Sequence, residues 1–264
     1  PFSAVDEDSL GITFPIAASI LGTVPDSEAP SFAGSLSVNT PGVSWPEFVP
    51  GTQSPYGIAL GFSPSTFNQF LTESVASGLL RLSLDQLEVG GVALPIDSTL
   101  LSAFLPEFSA LPALTPLEVR ISPSLAPVVT EVEGPNGEVA TLYLAHLLIE
   151  IVQPNAGDTV RLSAAVDMEL GLSLEAGSTG LDIQVSAPEA ESIDVTVLSN
   201  PLQVVPADVE SLLPLMIELA LPALQGEFGS FPLPSFLGLS LEPVSDMVRH
   251  QDYLTIFANL VPEG

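Results

Sequence analysis

Only two residues of this 264-residue chain, His146 and His250, carry side chains that ordinarily titrate near neutral pH, and there is no cysteine. His146 lies in an apolar, strand-like run and His250 in a turn-like segment. Neither has a serine, cysteine or second histidine at motif spacing, so both read as structural. Gly171-Leu172-Ser173-Leu174-Glu175 and Gly238-Leu239-Ser240-Leu241-Glu242 end in glutamate, where a nucleophile elbow needs glycine. No phosphate loop, dinucleotide fingerprint or zinc spacing occurs. Asp6, Glu7 and Asp8 lack the glycine and spaced ligands of a calcium loop and read as a solvated terminus. Among 32 acids a carboxylate pair for glycoside cleavage is available, but one tryptophan and three tyrosines offer few platforms for a sugar. The chain therefore reads as a non-enzyme, with no catalytic residue and no metal.

Charge narrows the partners. Thirty-two acids face four arginines, Arg81, Arg120, Arg161 and Arg249, with no lysine, for a net charge of −28. A surface of that sign cannot gather phosphates, which excludes nucleic acid and disfavours an anionic membrane. A solvated, self-repelling acidic surface is the simpler reading. Yet 46% of residues are hydrophobic and the mean hydropathy is +0.48. Charged residues make up only 14%, against about a quarter in ordinary domains. Either the core is large, or some apolar surface faces something other than protein. The start at Pro1 reads as a processed terminus, and a secreted, periplasmic or envelope-associated location is expected.

The elements that would position any site alternate between strands and two helices. Gly11 to Ile20 and Ser31 to Thr40 are strand-like, and the proline-rich stretch Trp45 to Pro55 reads as a linker. This divides the chain into residues 1–55, strands and linker, and residues 56–264, the main domain. Ser63 as N-cap, Pro64 at the first helical position and Gly78 as the stop predict a short helix, with Phe67, Phe70, Leu71 and Val75 on one face. Leu79 to Leu84 reads as a strand. Asp97 or Ser98 then caps a helical turn carrying Leu101, Phe104 and Leu105, stopped by Pro106. Strands follow at Leu117 to Ile121 and Val128 to Val132, then a turn at Gly134 to Gly137.

Val139 to Val152 is apolar on both faces, as for a strand covered on each side. From Val160 to Leu174 every even position is apolar while the odd ones include Arg161, Ser163, Asp167, Glu169 and Ser173, which predicts a long strand with one wet face. Leu181, Ile183 and Val185, then Ile193, Val195 and Val197, repeat the alternation. Val205 to Pro234 predicts a long helix started by Pro206, apolar nearly all round, bent at Pro214 and Pro222 and too interrupted to span a bilayer. Phe236 to Leu241 and Tyr253 to Leu260 form a final strand pair. The expected fold class is α+β: a long, highly curved antiparallel sheet wrapped around a long C-terminal helix, with a second, shorter helix.

Three stretches in this order carry a resemblance: YGIALGFSPSTFNQFLTESVASG, then LPIDSTLLSAFLPEFSALPALTPLEVRISPSLAPVVT, then VPADVESLLPLMIELALPALQGEFGSFPLPSFLGLSLEPVSDMVRHQDYLTIFANL. Together, from about Tyr56 to Leu260, they resemble the C-terminal half of the bactericidal/permeability-increasing and lipopolysaccharide-binding protein family, of the tubular lipid-binding superfamily. The resemblance implies a curved sheet around a long helix, no catalysis, and an elongated apolar pocket for acyl chains. The family's basic N-terminal half is not in this chain. A bound phospholipid or fatty acid is then expected rather than a cofactor, held by Phe67, Phe70, Leu71, Val75, Leu101, Phe104, Leu212, Leu213, Met216 and Ile217. A second N-terminal half or a homo-oligomer are the partners to consider, without stable membrane insertion. The alternative is a structural or protein-interaction module of the same fold with a filled core and no lipid.

Overall fold

The long alternation around Leu162 to Leu174 forms the spine of the architecture. The computed structural model describes residues 6–7, 11–13, 15, 19–22, 26, 29–30, 34–78, 81–89, 92–176, 180–188, 192–213, 216–217, 230–233 and 238–262. In chain order these hold β1 (Asp6–Glu7), β2 (Ile12–Thr13), β3 (Ile58–Phe62), α1 (Pro64–Ala76), β4 (Leu82–Leu84), β5 (Gln86–Val89), β6 (Val92–Pro95) and α2 (Ser98–Ser102). Then come β7 (Glu118–Pro123), β8 (Val128–Val129), β9 (Ala140–Gln153), β10 (Thr159–Ala176), β11 (Gly180–Val185) and β12 (Ile193–Ser199). The last strands are β13 (Ser230–Pro232), β14 (Leu239–Pro243), β15 (Val248–His250) and β16 (Tyr253–Pro262).

β9 and β10 pair antiparallel along almost their whole length, and each is flanked by two shorter strands: β7 and β8 on β9, β12 and β11 on β10. With β4 and β13 at the edges this makes one eight-stranded antiparallel sheet, curled as a half-barrel. At 18 residues, β10 has a contour of roughly 60 Å. Its even positions from Leu162 to Leu174 are all buried, as the alternation predicts, but the other face is not wet throughout: Ser163 and Ala165 are buried as well.

β9 corrects the two-sided reading. Val166 pairs with Leu147 and Met168 with Leu144, so Ala145 and His146 together face Asp167 alone. This is a β-bulge, and one extra residue reverses which face the following side chains take. The buried set runs on even numbers through Leu142 and Leu144, then on odd numbers through Leu147, Ile149 and Ile151. Tyr143, Leu148 and Glu150 stay half-buried on the outer face. Two one-sided alternations joined out of phase look two-sided in a linear reading. His146 absorbs the misfit at φ +53°, in the left-handed region uncommon for non-glycine residues. Its N–H donates to Asp167 Oδ1 at 2.6 Å, and the Ser124 N–H and hydroxyl both donate to its carbonyl.

Elsewhere the strands are shorter than predicted. Among the described residues, Ile12–Thr13 of the first strand-like run and Val128–Val129 of the later one form ladders, and Pro106 opens a 3₁₀ turn, Pro106–Ala110, rather than only stopping α2. Asp97 is the cap of α2, its Oδ1 accepting from Thr99 and Leu100 N–H at 2.8 Å each. The chain is helical over residues 206–213 and 216–217, with Val209, Leu212, Leu213, Met216 and Ile217 buried. The remainder of the expected long helix, residues 214–215 and 218–229, lies outside the described residues, as do its bends at Pro214 and Pro222. Residues 14, 16–18, 31–33, 79–80 and 236–237 of the expected strands also lie outside them. Among the described residues no helix is long and apolar enough to cross a membrane.

A second antiparallel sheet sets β16 between β3 on one side and β14 and β15 on the other. β3 escaped the sequence reading and β14 with β16 is the expected final pair. One face, with Leu254, Ile256 and Ala258, joins the same core as the large sheet, and Met247 N–H donates to Leu174 carbonyl across the junction at 3.1 Å. The other face is covered by residues 41–56, so the expected linker is packed structure. Val49 is buried there, Trp45 stacks on His250 at 6.1 Å, and Tyr56 meets Phe257 edge-on at 4.6 Å. His250 Nε2 donates to the Ser44 carbonyl at 2.7 Å, and Tyr253 hydroxyl to the Pro41 carbonyl at 2.7 Å.

Gly61 is the seat for that cover. A Cβ there would stand 3.0 Å from Trp45 Cη2 and 3.2 Å from Tyr253 Cδ1. Gly61→Val is expected to unseat Trp45, at a cost of about 1–3 kcal/mol for the overpacking. Trp45 is the single tryptophan, so its emission should shift to the red in a still-folded protein. An unchanged spectrum would contradict the tight seat.

Candidate functional site

Three of the predicted site residues, Phe67, Phe70 and Leu71, meet where α1 lies against the large sheet. Pro64 opens the helix with its fixed φ, and Gly78, at φ +79°, ends it in the left-handed conformation that glycine adopts without strain. Ser63 precedes it in extended conformation, but its side chain makes no cap bond; its carbonyl accepts the Thr66 N–H instead. Phe67, Leu71 and Val75 are buried at helical spacing, and Phe67 packs edge-on against Phe62 of β3 at 6.2 Å.

Phe67, Phe70 and Leu71 form one wall of a cleft whose other walls are Val129 of β8, Leu142 of β9, Leu172 and Leu174 of β10, and Ile183 and Val185 of β11. All nine lining residues are apolar. The open volume is about 20 Å³, enough for a water and far below the 300–1,000 Å³ of typical ligand pockets. Val75 is buried further along the same helix face, and Leu101 is buried in α2. Leu212, Leu213, Met216 and Ile217 belong to the common core without lining this cleft. Phe104 stands 47% exposed, because the backbone turns out of the helix after Ser102. The even parity of β10 and the alternation at residues 181–185 mark four of the six sheet positions, Leu172, Leu174, Ile183 and Val185, as inward; Val129 and Leu142 carry no such mark.

Polar chemistry surrounds the helix rather than the cleft. Asn68 is 1% exposed; its Oδ1 accepts Val129 N–H at 2.7 Å and its Nδ2 donates to the Leu36 carbonyl at 3.3 Å. Residues 34–40 cross α1 without a strand partner. The Ser65 hydroxyl accepts from Val38 N–H at 2.7 Å and donates to the Val38 carbonyl at 3.1 Å. Further along, Gln69 Oε1 takes Ile20 N–H at 3.2 Å, Glu73 Oε2 takes Gly22 N–H at 2.6 Å, and Arg81 pairs with Asp26 at 2.7 Å.

A half-open groove of about 710 Å³ lies elsewhere, floored by Ile96 and Leu117 and edged by Asp85, Asp97 and Glu118. It contains no predicted site residue. Asp97 is committed to capping α2, and Glu118 to Arg120 and the Ser83 hydroxyl. Arg120 also reaches Asp158 at 3.0 Å, and these hydrogen bonds and charges, Glu118 foremost, raise its pKa further despite the opposing effect of burial. His146 Nδ1 is 3.5 Å from Asp167 Oδ1, but the Ser124 hydroxyl donates to the His146 carbonyl, so these three residues do not form a nucleophile relay. Among the described residues no three metal-ligating side chains gather.

On the outer face Glu138 folds across Gly171, where any Cβ would collide with its carboxylate. Burial acts to raise the Glu138 pKa, but hydrogen bonds from Asn136 N–H, its own N–H, the Ser186 hydroxyl and the Asn136 amide together lower it below the usual 4.5. A depressed carboxylate stabilises the fold above its unfolded pKa and ceases to do so as pH falls through the folded value. Wild type is therefore expected to lose more stability than Glu138→Gln on acidification below about pH 4.5, as urea melts across that range would register. Parallel acid profiles would count against it.

The molecule is thus an α+β half-barrel whose curled sheet and short helix enclose an apolar cleft. No family model matches the sequence, and no curated protein matches it. A solved crystal structure of lipopolysaccharide binding protein is similar at 17% identity and a TM-score of 0.48, over 87% of this chain and 48% of that one. This chain therefore spans about half the length of that protein.

Proposed function

We propose that this is a non-catalytic lipid-binding or lipid-transfer protein that accepts acyl chains in the cleft between α1 and the curled sheet. The observation that carries the reading is the lining: nine converging apolar side chains, two of them phenylalanine, while the amide of the neighbouring Asn68 is bonded at both ends to backbone groups, Val129 N–H and the Leu36 carbonyl. The excess hydropathy of so acidic a chain and the family resemblance support it. Phospholipid or fatty acid is the ligand class, and a secreted, periplasmic or envelope setting suits it. The volume of about 20 Å³ favours a second reading, a structural or interaction module whose core is filled.

Native mass spectrometry and titration with a fluorescent lipid separate the two. A co-purifying lipid mass, with uptake reduced by Phe70→Trp in a folded protein, is the result expected for carriage. A clean apo mass together with no uptake would leave only the filled core. Met216→Trp tests whether the C-terminal helical segment also contributes to the lining.

A further inference from the structure

We infer that residues 34–40 act as a latch over α1, and that α1 is the wall that moves to admit a ligand; this rests on the lipid-binding reading above. The cleft at about 20 Å³ must widen before an acyl chain enters, and its walls differ in how they are held. Those from the sheet are joined by ladder pairs, Val129 to Leu142, Leu172 to Val185 and Leu174 to Ile183, so parting them breaks the sheet. Helix α1 meets the cleft by side-chain packing, and one hydrogen bond, Val129 N–H to Asn68 Oδ1, ties it to β8. Widening by movement of α1 disrupts the fewest backbone bonds.

The latch lies across that wall. Ser65 holds both backbone groups of Val38, and one turn later Asn68 holds the Leu36 carbonyl while its other end grips β8. One amide therefore couples latch, helix and sheet. The Leu36 side chain is 53% exposed, so the latch is fastened by polar bonds that water can replace rather than by buried apolar surface. Such segments are the first to open in local unfolding.

The chain has no cysteine, so Val38→Cys with Ser65→Cys creates a single bridge between latch and helix at a site of direct contact. Transfer of NBD-labelled phosphatidylcholine from phosphatidylcholine vesicles is measured on the oxidised and reduced forms of that protein, beside wild type. The oxidised form is expected to transfer at least roughly tenfold more slowly than the reduced form, as a closed local opening requires. Ser65→Ala, which frees the latch without a crosslink by removing both bonds to Val38, is expected to transfer at least about fivefold faster than wild type, the factor that one net hydrogen bond alone represents. Equal rates in oxidised and reduced protein, with wild type active, would overturn the latch and leave lipid carriage standing. An unchanged rate in Ser65→Ala would do the same, and it decides the matter if the double variant does not fold. A wild type that takes up no probe at all removes the lipid reading and the latch with it.

Discussion

Leu142→Ala is expected to lower stability by about 2–5 kcal/mol and, if the cleft carries lipid, to make the variant recoverable by ligand. Leu142 is 1% exposed at the floor of the cleft, paired on one side with Leu170 of β10 and on the other with Val129 of β8. Ladder bonds on both sides keep the backbone from collapsing into the space, so the lost contacts are not regained and the cost falls toward the upper part of that range. For a domain of this size each kcal/mol corresponds to about 2–4 °C in Tm, which makes the loss on the order of 10 °C. The cavity left behind adjoins Phe70 and Leu71. Under the lipid-binding reading an acyl chain fills it, and Tm should climb with lipid concentration as mass action requires. Under the filled-core reading the same loss appears with no recovery. Differential scanning fluorimetry with and without a fatty acid distinguishes them, and a Leu142→Ala protein as stable as wild type would show that the cleft packing is misassigned.

Asn68→Ala is the second large effect, expected at about 2–3 kcal/mol, because it leaves the buried Val129 N–H without an acceptor and the Leu36 carbonyl without its donor. Asn68→Asp separates the two halves of this role. It keeps an acceptor for Val129 but removes the donor to Leu36, and it places a charge at a site 1% exposed. The aspartate variant should therefore be destabilised at neutral pH and recover part of the loss in acid, as its carboxyl protonates. Urea denaturation at pH 7 and pH 5 would display the difference; identical losses for both variants at both pH values would refute the bridging role.

Asn68 illustrates where linear reading stops. Its apolar neighbours Phe67, Phe70 and Leu71 were legible as an inward face from helical spacing alone. An asparagine on the same helix carries no mark of burial, because its partners at Leu36 and Val129 lie 32 and 61 residues away. Phe104 shows the reverse error. Spacing from Leu101 placed it with the core, but α2 ends at Ser102 and the side chain leaves the helical phase. Trp45 was assigned to a linker from its prolines, since proline density reports an irregular backbone and says nothing of what that backbone packs against.

The amino-acid sequence by itself determined what depends on neighbours a few residues apart: the start and stop of α1, a helical turn capped at Asp97 or Ser98, and the inward even positions of β10. Tertiary structure decided what depends on register between distant segments. The bulge at His146 reverses the inward parity of β9, the cover of residues 41–56 seats Trp45 in the space left at Gly61, and the cleft narrows to about 20 Å³ through the fit of α1 onto four strands. Periodicity specifies which side chains face inward, whereas packing between elements sets how much space they leave, and that space separates a lipid carrier from a filled core.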